Sequence, residues 1–547
     1  MNQFGNRKYV VWSGLLIFLW SLVQTSAFSS HHTPNNPHKP SKERVNIEHA
    51  DNMEFNDYLF PGAHRLSGNV KFSHGTFDMY CDSAIYYTNT NSFEAVGNVR
   101  INQGDTLTLV GDSLYYDGES LLAQMRYNVV LTHNSQKLYT DSLNYDRLLS
   151  VGYFFEGGTL VDATNNLTSD FGEYFTETKD AHFFYDVTLK GEAFTIYSDT
   201  LKYNTDTKWA KVIGPSNIHN GENHIYTELG YYNTERELAK LYHRSVISGK
   251  NRVMMGDSIV YDKLSGDMFA YKNIDYHDQL NKNILRGDYV WYNELSGHAL
   301  CYDKALVMDY SSGSDTLYMH ADTIRLTTYN LNTDSVMRKV DAYFHVRAYR
   351  KDIQAVCDSL TFNSATRCLT LHRDPIVWSD NRQILGEQID VNFNEQTIDS
   401  VYVSRQALLV EQVDSVHYNQ VSGHEMRSYF KDGEMHENFV DGNVRVIQFP
   451  MEKDSVVLYQ LYMETAKLKM SLEERKLQRI WTPASTGQFY GIGMAPKEHT
   501  VLENFTWFDY VRPQHKDDIY EWRPKRKGTE LKSTIRRNAP LQHLQVP

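Results

Sequence analysis

GDSLYYD at 111–117 decides the fold, because the chain keeps rewriting it. The same heptad stands as CDSAIYY at 81–87, TDSLNYD at 140–146, SDFGEYF at 169–175, SDTLKYN at 198–204 and TELGYYN at 227–233. It continues as GDSIVYD at 256–262 and GDYVWYN at 287–293, then weakens to ADTIRLT at 321–327, CDSLTFN at 357–363 and GEQIDVN at 386–392. METAKLK at 463–469 is read as a further copy. The acidic second residue steps from Asp82 through Asp112, Asp141, Asp170, Asp199 and Glu228 to Asp257 in strides of 30, 29, 29, 29, 29 and 29 residues. Later strides widen to 31, 34 and 36, where inserted loops are expected. A fixed period of this length marks a stacked-repeat architecture.

Inside the heptad the pattern has period two. Leu114, Leu143, Leu201, Ile259 and Val290 stand two residues after the acid, and Tyr116, Tyr145, Tyr203, Tyr261 and Tyr292 stand four after it. The position between them is unconstrained, as Asn144, Glu173 and Lys202 show. One apolar face and one free face is the signature of a half-buried strand. These ten residues are therefore expected to point inward, lining a core or a groove, with Asn144, Glu173 and Lys202 outward. Asp or Asn closes most copies and starts a turn through its own side chain. A second alternating strand follows, as in Phe93, Ala95, Val99 and Ile101, with Gly-Asn-Val at 68–70, 97–99 and 442–444 marking a bend or bulge. Two or three strands fit each ~29-residue unit. No unit can bury its apolar face alone, so neighbours must stack. Met463 to Arg479 looks helical by propensity, but the repeat register reads it as strand, turn at Glu473-Glu474, strand.

The flanks read differently. Arg7 and Lys8 precede an apolar run from Val10 to Val23, and Thr25-Ser26-Ala27 offers small residues for cleavage. Residues 1–27 are thus expected to be an export signal, the alternative being an uncleaved anchor in the inner membrane. Residues 28–44 read as a flexible lead-in, 45–490 as one continuous repeat array, and 491–547 as a C-terminal extension. The basic run WRPKRKGTELKSTIRR within that extension is expected to be a solvated, disordered tail.

Composition narrows the function. Among 547 residues, 38 are tyrosine and only 13 proline, which suits strands rather than a disordered chain. The net charge of −13 argues against nucleic acid as the main partner. Cys81, Cys301, Cys357 and Cys368 match no zinc spacing, so no metal is expected, and a Cys357–Cys368 disulfide across a hairpin stays open. HExxH, GxSxG, P-loop and EF-hand patterns are absent. The acidic column recurs in every repeat, which reads as a structural rule rather than a catalytic carboxylate pair.

GNVRI at 97–101 followed by GDSLYYD at 111–117 resembles the OstA-like (organic solvent tolerance) domain, and the likeness runs over roughly 65–480. The resemblance implies an all-β, elongated repeat β-jellyroll, or β-taco: two antiparallel sheets in a V, here with about a dozen ~29-residue repeats. It implies a periplasmic, non-enzymatic protein that carries or bridges lipopolysaccharide or its precursor through an apolar groove. The implied partners are other OstA-like jellyrolls of the transport bridge and outer-membrane translocon, joined by end-to-end strand pairing. It supplies no catalytic residues and no cofactor. The other classes are an exported β-helix-like enzyme acting on polysaccharide, and a structural or adhesin repeat.

Overall fold

In the computed structural model, the heptad is only half of its strand. Leu107–Asp117 runs as one strand of 11 residues, with LTLV leading into GDSLYYD. The structure describes residues 43–532 apart from 57, 59–60, 312–314, 395–396, 432–433, 451–456 and 474–475. The expected export signal 1–27, the lead-in up to residue 42 and residues 533–547 lie outside the described residues.

Along Leu107–Asp117 the buried side chains are Leu107, Leu109 and Gly111, then Leu114 and Tyr116. The alternation slips by one residue at Asp112. Its neighbour Ser92–Gln103 pairs Val96 with Ser113 and Val99 with Gly111, so Gly97 and Asn98 together oppose Asp112 alone. Two residues against one is a β-bulge, and it bends the strand. The same register shift recurs between successive strands from Ala63–His74 to Tyr459–Glu473. The bulged pairs take the left-handed conformation, as at Asn98 (φ 46°), Tyr127 and Asn128 (φ 63° and 52°), and Lys272 and Asn273 (φ 60° and 50°). Gly97 sits at φ 83°, and a Cβ there would meet an Asp82 carboxylate oxygen at 2.5 Å. That is why glycine stands in the Gly-Asn-Val triplet.

The acidic column lies on this corner and ties it. Asn98, Asn128 and Asn273 donate their side-chain amides to Asp82, Asp112 and Asp257 at 2.8, 2.6 and 2.6 Å. Lys304 and His345 take over the role against Asp288 and Asp322, at 2.7 and 2.8 Å.

Every rung therefore has two halves. One carries the heptad's Leu and Tyr and is called the tyrosine arm here; the other is the facing arm. Among the described residues the 34 strands make 28 rungs, because six rungs are broken at the corner into two short strands. Val151–Phe154 with Gly158–Val161 is one such rung, and Cys368–His372 with Ile376–Ser379 another. All the pairings are antiparallel, and at ~4.8 Å per step the array extends ~130 Å. The fold is an all-β jellyroll array in which one hydrogen-bonded sheet, folded along its line of bulges, supplies both faces. The ~29-residue unit is two such rungs, and extra residues fall in 310–316 and 330–336, where the strides widen.

Two expectations need correcting. METAKLK lies two residues out of register: Glu464 is in the facing arm opposite Arg445, and the corner falls at Ala466. The strand–turn–strand reading of 463–479 matches the strands Tyr459–Glu473 and Lys476–Trp481. The second correction concerns the C-terminal extension. Residues 500–532 form a strap over the outer surface of the facing arm, with Leu502, Phe508 and Val511 buried against Val356, Trp378, Leu408 and Ile447. Lys525, in the basic run, sits 2.6 Å from Asp374, and Arg526 stacks on Tyr510. The cause is that strands such as Ile398–Gln412 bury Leu408 and Val410 outward as well as Ala407 and Leu409 inward, so the outer face needs cover. The only helical turns among the described residues, at Lys497–His499, Asp509–Val511 and Asp518–Tyr520, belong to this extension.

Candidate functional site

The ten inward-reading residues all lie on the tyrosine arm. Leu114, Tyr116, Leu143, Tyr145, Leu201, Tyr203, Ile259, Tyr261 and Val290 are at most 2% exposed, and Tyr292 is half-buried. Lys202 is exposed and Glu173 half-exposed. Asn144 is the exception to outward exposure: it is buried at 7%, because Arg126 from the neighbouring strand lies over it and donates to its side-chain oxygen at 2.9 Å.

What faces these residues is the other arm. Phe72 on the facing arm stacks on Phe93 of the tyrosine arm, with centroids 4.2 Å apart. At the mouth, where both arms end, tyrosine hydroxyls cross the gap. His74 Nδ1 lies 2.8 Å from Tyr116 Oη, and His133 Nδ1 lies 3.1 Å from Tyr174 Oη. Tyr203 donates to Asp162 at 2.7 Å, and Asn220 donates to Tyr232 at 3.0 Å. Lysines reinforce the latches: Lys208 pairs with Asp162 at 2.8 Å, and Lys263 with Glu237 at 2.9 Å. Burial pushes the Tyr174 hydroxyl up to about 12, so these phenols stay protonated. Burial raises the Asp162 carboxyl, but Lys208, Tyr203 and the Thr164 N–H outweigh it and hold the group below the ordinary carboxylate range. This stretch is a closed sandwich.

Beyond residue 275 the core continues through both arms, as at Val346, Leu371 and Leu468, but its packing is less complete. Six apolar side chains of the inner faces, Tyr276, Leu285, Val340, Leu369, Val391 and Met470, are only partly buried against the core. The latch residues also disappear. The column of Tyr86 through Tyr292 continues as Leu326, Phe362, Val391, Ser428 and Met470, and three of the first four have no polar atom. The last side-chain hydrogen bond between arms, among the described residues, joins Arg338 to Asn281 at 3.5 Å. Near the C-terminal end the gap widens into a cavity of about 150 Å³. Leu409, Val421 and Val446 line it from the facing arm, and Leu468, Met470 and Leu472 from the tyrosine arm. Arg382, Glu411 and Asn419 tie one another off at its lip, at 2.8 and 3.0 Å.

The four cysteines are separate thiols, so Cys357 and Cys368 are not bridged. Cys357 is buried in the core, and burial raises its thiol strongly. Among the described residues no three His, Cys, Asp or Glu side chains group as a metal site, and no helix is long and apolar enough to cross a membrane.

A repeat array of antiparallel rungs, folded along a line of bulges and latched by tyrosine hydroxyls over its first half, defines an all-β jellyroll. Residues 42–199 match the model of the family described as OstA-like protein. No curated protein matches the chain. Among solved structures, it is similar to LptH of Pseudomonas aeruginosa, the LptA-homologous periplasmic component of the lipopolysaccharide transport device. That likeness has 11% identity and a TM-score of 0.12, and covers 32% of this chain and 85% of the other.

Proposed function

We propose that the chain is a non-enzymatic, exported lipid carrier that holds acylated lipid, lipopolysaccharide or its precursor, between the splayed arms and passes it towards the outer membrane. The observation that supports this reading is the set of inward-facing apolar side chains between Tyr276 and Met470 that are only partly buried against the core. A monomeric soluble surface rarely leaves a continuous apolar strip open without use. Acyl chains gain ~0.8 kcal/mol per buried methylene there, with no need for fixed polar contacts. The OstA-like match supports the assignment to lipopolysaccharide transport and the periplasmic location.

In this reading the nine fully buried residues from Leu114 to Val290 form the closed part of the same trough, and Tyr292 stands where lipid begins. The outer rungs, Asn46–His49 with Asn52–Phe55 at one end and Lys476–Trp481 with Ser485–Gly491 at the other, each pair on one side only among the described residues, and these edges would serve other OstA-like jellyrolls. The test is photo-crosslinking in living cells. A photoreactive residue at Val340, Val391 or Met470 should capture lipopolysaccharide, while the same probe at Lys202 should not. Equal labelling at Lys202, or none at the three inner positions in a folded protein, would leave a purely structural array.

A further inference from the structure

The hairpin joining Trp209–Asn220 to Asn223–Asn233 forms the tip of the facing arm in the latched half. Its inner side is fixed by latches. Asn220 donates to Tyr232 at 3.0 Å and Asn223 to Tyr261 at 3.3 Å, while Gly221 makes the turn at φ 60°. The neighbouring residue on each strand, His219 and His224, points the opposite way, out of the sandwich. The two are direct cross-strand partners, and their ring centroids stand 4.6 Å apart. The fold does not ask for histidine here. The same outward pair is Ser73 with Asp78, Thr132 with Lys137, and Ser248 with Val253 in sister hairpins.

Both rings keep a nitrogen to offer. His224 Nε2 donates to the Asn217 side-chain oxygen at 3.1 Å, which leaves the lone pair on Nδ1. His219 is exposed and has no hydrogen bond among the described residues, and the Tyr197 ring meets it edge to face at 5.9 Å. Burial, then the adjacent His219, pushes His224 below the ordinary histidine value, so its imidazole is neutral at neutral pH. Imidazole nitrogens bind transition metals at ~2.0–2.1 Å, so two rings on one ion have centres about 4.5 Å apart at a right angle and about 5 Å apart at the tetrahedral angle. The observed 4.6 Å fits the right angle, the geometry of copper(II) and nickel(II) with nitrogen and oxygen ligands. Copper(II) is the tighter binder of the two.

We propose that His219 and His224 form a two-histidine chelate for a divalent transition-metal ion, copper(II) above all, on the outer side of a hairpin whose inner side carries a latch. Water fills the remaining positions, and Asn217 orients His224 from behind, as outer partners of metal-bound histidines do. The site is independent of the lipid-carrier reading. The experiment titrates the full chain with copper(II) and with zinc(II) in glycine buffer, which holds loosely bound copper, and reads heat and the copper d–d absorption. The wild-type chain should take up one equivalent of copper(II) that His219→Gln and His224→Gln each lose. Asn217→Ala, which keeps both ligands, should weaken that equivalent by ~10–100-fold. Copper held elsewhere on the chain binds wild type and variants alike and drops out of the difference. Should the glutamine variants melt early, His219→Phe with His224→Phe keeps the ring pair while removing every ligand nitrogen, and should still lose the equivalent. Equal uptake by the wild type and the histidine variants overturns the site and leaves a stacked ring pair. Zinc(II) bound more tightly than copper(II) overturns the assignment to copper.

Discussion

At Asn128 the backbone holds φ at +52°, and the side chain donates to Asp112 at 2.6 Å. Both demands fall on one residue: a conformation that most L-residues resist, and an amide that reaches the acid on the next strand. Asn128→Val should cost about 1–2 kcal/mol, since left-handed backbone is disfavoured by that much for a residue with Cβ branching. Asn128→Gly should cost less, keeping the conformation and losing only the amide. Urea melts of the two variants check this, and equal losses would mean that the corner is held by the strands alone. The histidine latches give a pH dependence. Burial, then Arg147, pushes His74 below its ordinary value, and burial, then Lys179, does the same to His133. The unfolded chain therefore takes up these protons first. Their stabilising share is complete above the ordinary histidine value of ~6.5 and falls away as pH drops below it. The urea midpoint should decline from neutral pH towards 5, and His74→Gln should flatten part of that decline.

The paired rungs explain which elements could be read from sequence. Leu114 and Tyr116 alternate cleanly, so the tyrosine arm was legible as a strand with its inward face. The half-strand before it was not, because alternation slips by one residue at Asp112 and hides the continuity of Leu107–Asp117. The acidic column was visible as a structural rule, but only the bulge shows why: one acid opposes two residues. The strap was missed for a related reason. Ala407-Leu-Leu-Val410 is apolar on both faces, which signals a strand covered twice, yet the covering segment around Phe508, with Phe505, Trp507 and Tyr510, lies outside the repeat and has no period to pair it with that face. The sequence of the tyrosine column did carry the end of the latches, in the change from Tyr292 to Leu326 and Phe362, but only as a loss of hydroxyls, several of whose partners lie across the gap. The strap itself can be tested. Phe508 is 1% exposed and packs on the outer face with Trp378 and Leu408. Phe508→Ala should cost about 3–5 kcal/mol of strap docking. Hydrogen exchange should quicken over 500–532 and the facing-arm strands of 347–463, while the strands between 63 and 260 keep their protection. Uniform loss along the chain would mean that the strap and the array unfold as one unit.

Across the repeat array, contacts reach only about three rungs along, as from His74 to Tyr116, so its stability is distributed as a sum of local terms. The latched half and the splayed half then respond separately to the same kind of change. Leu201 is fully buried in the latched half, whereas Val391 is only partly buried against the core. Leu201→Ala removes buried volume from a packed site and should cost about 2–5 kcal/mol. Val391→Ala removes a side chain already half in contact with solvent and should cost distinctly less. On the lipid-carrier proposal, bound lipid would reverse that ranking, adding contacts beside the partly buried side chains and stabilising the state it binds by mass action. Hydrogen exchange of the full chain with and without lipopolysaccharide should therefore show added protection at strands flanking the gap, such as Met337–Tyr349, Gln388–Phe393 and Tyr459–Glu473. Strands of the latched half, such as Leu107–Asp117 and Phe194–Asn204, should exchange at the same rate in both conditions. If protection instead appeared evenly from one end to the other, lipid would have to thread the latched half as well. The His74–Tyr116 and Asp162–Tyr203 contacts would then open in use, and the division of the trough into a closed and an open half would fail.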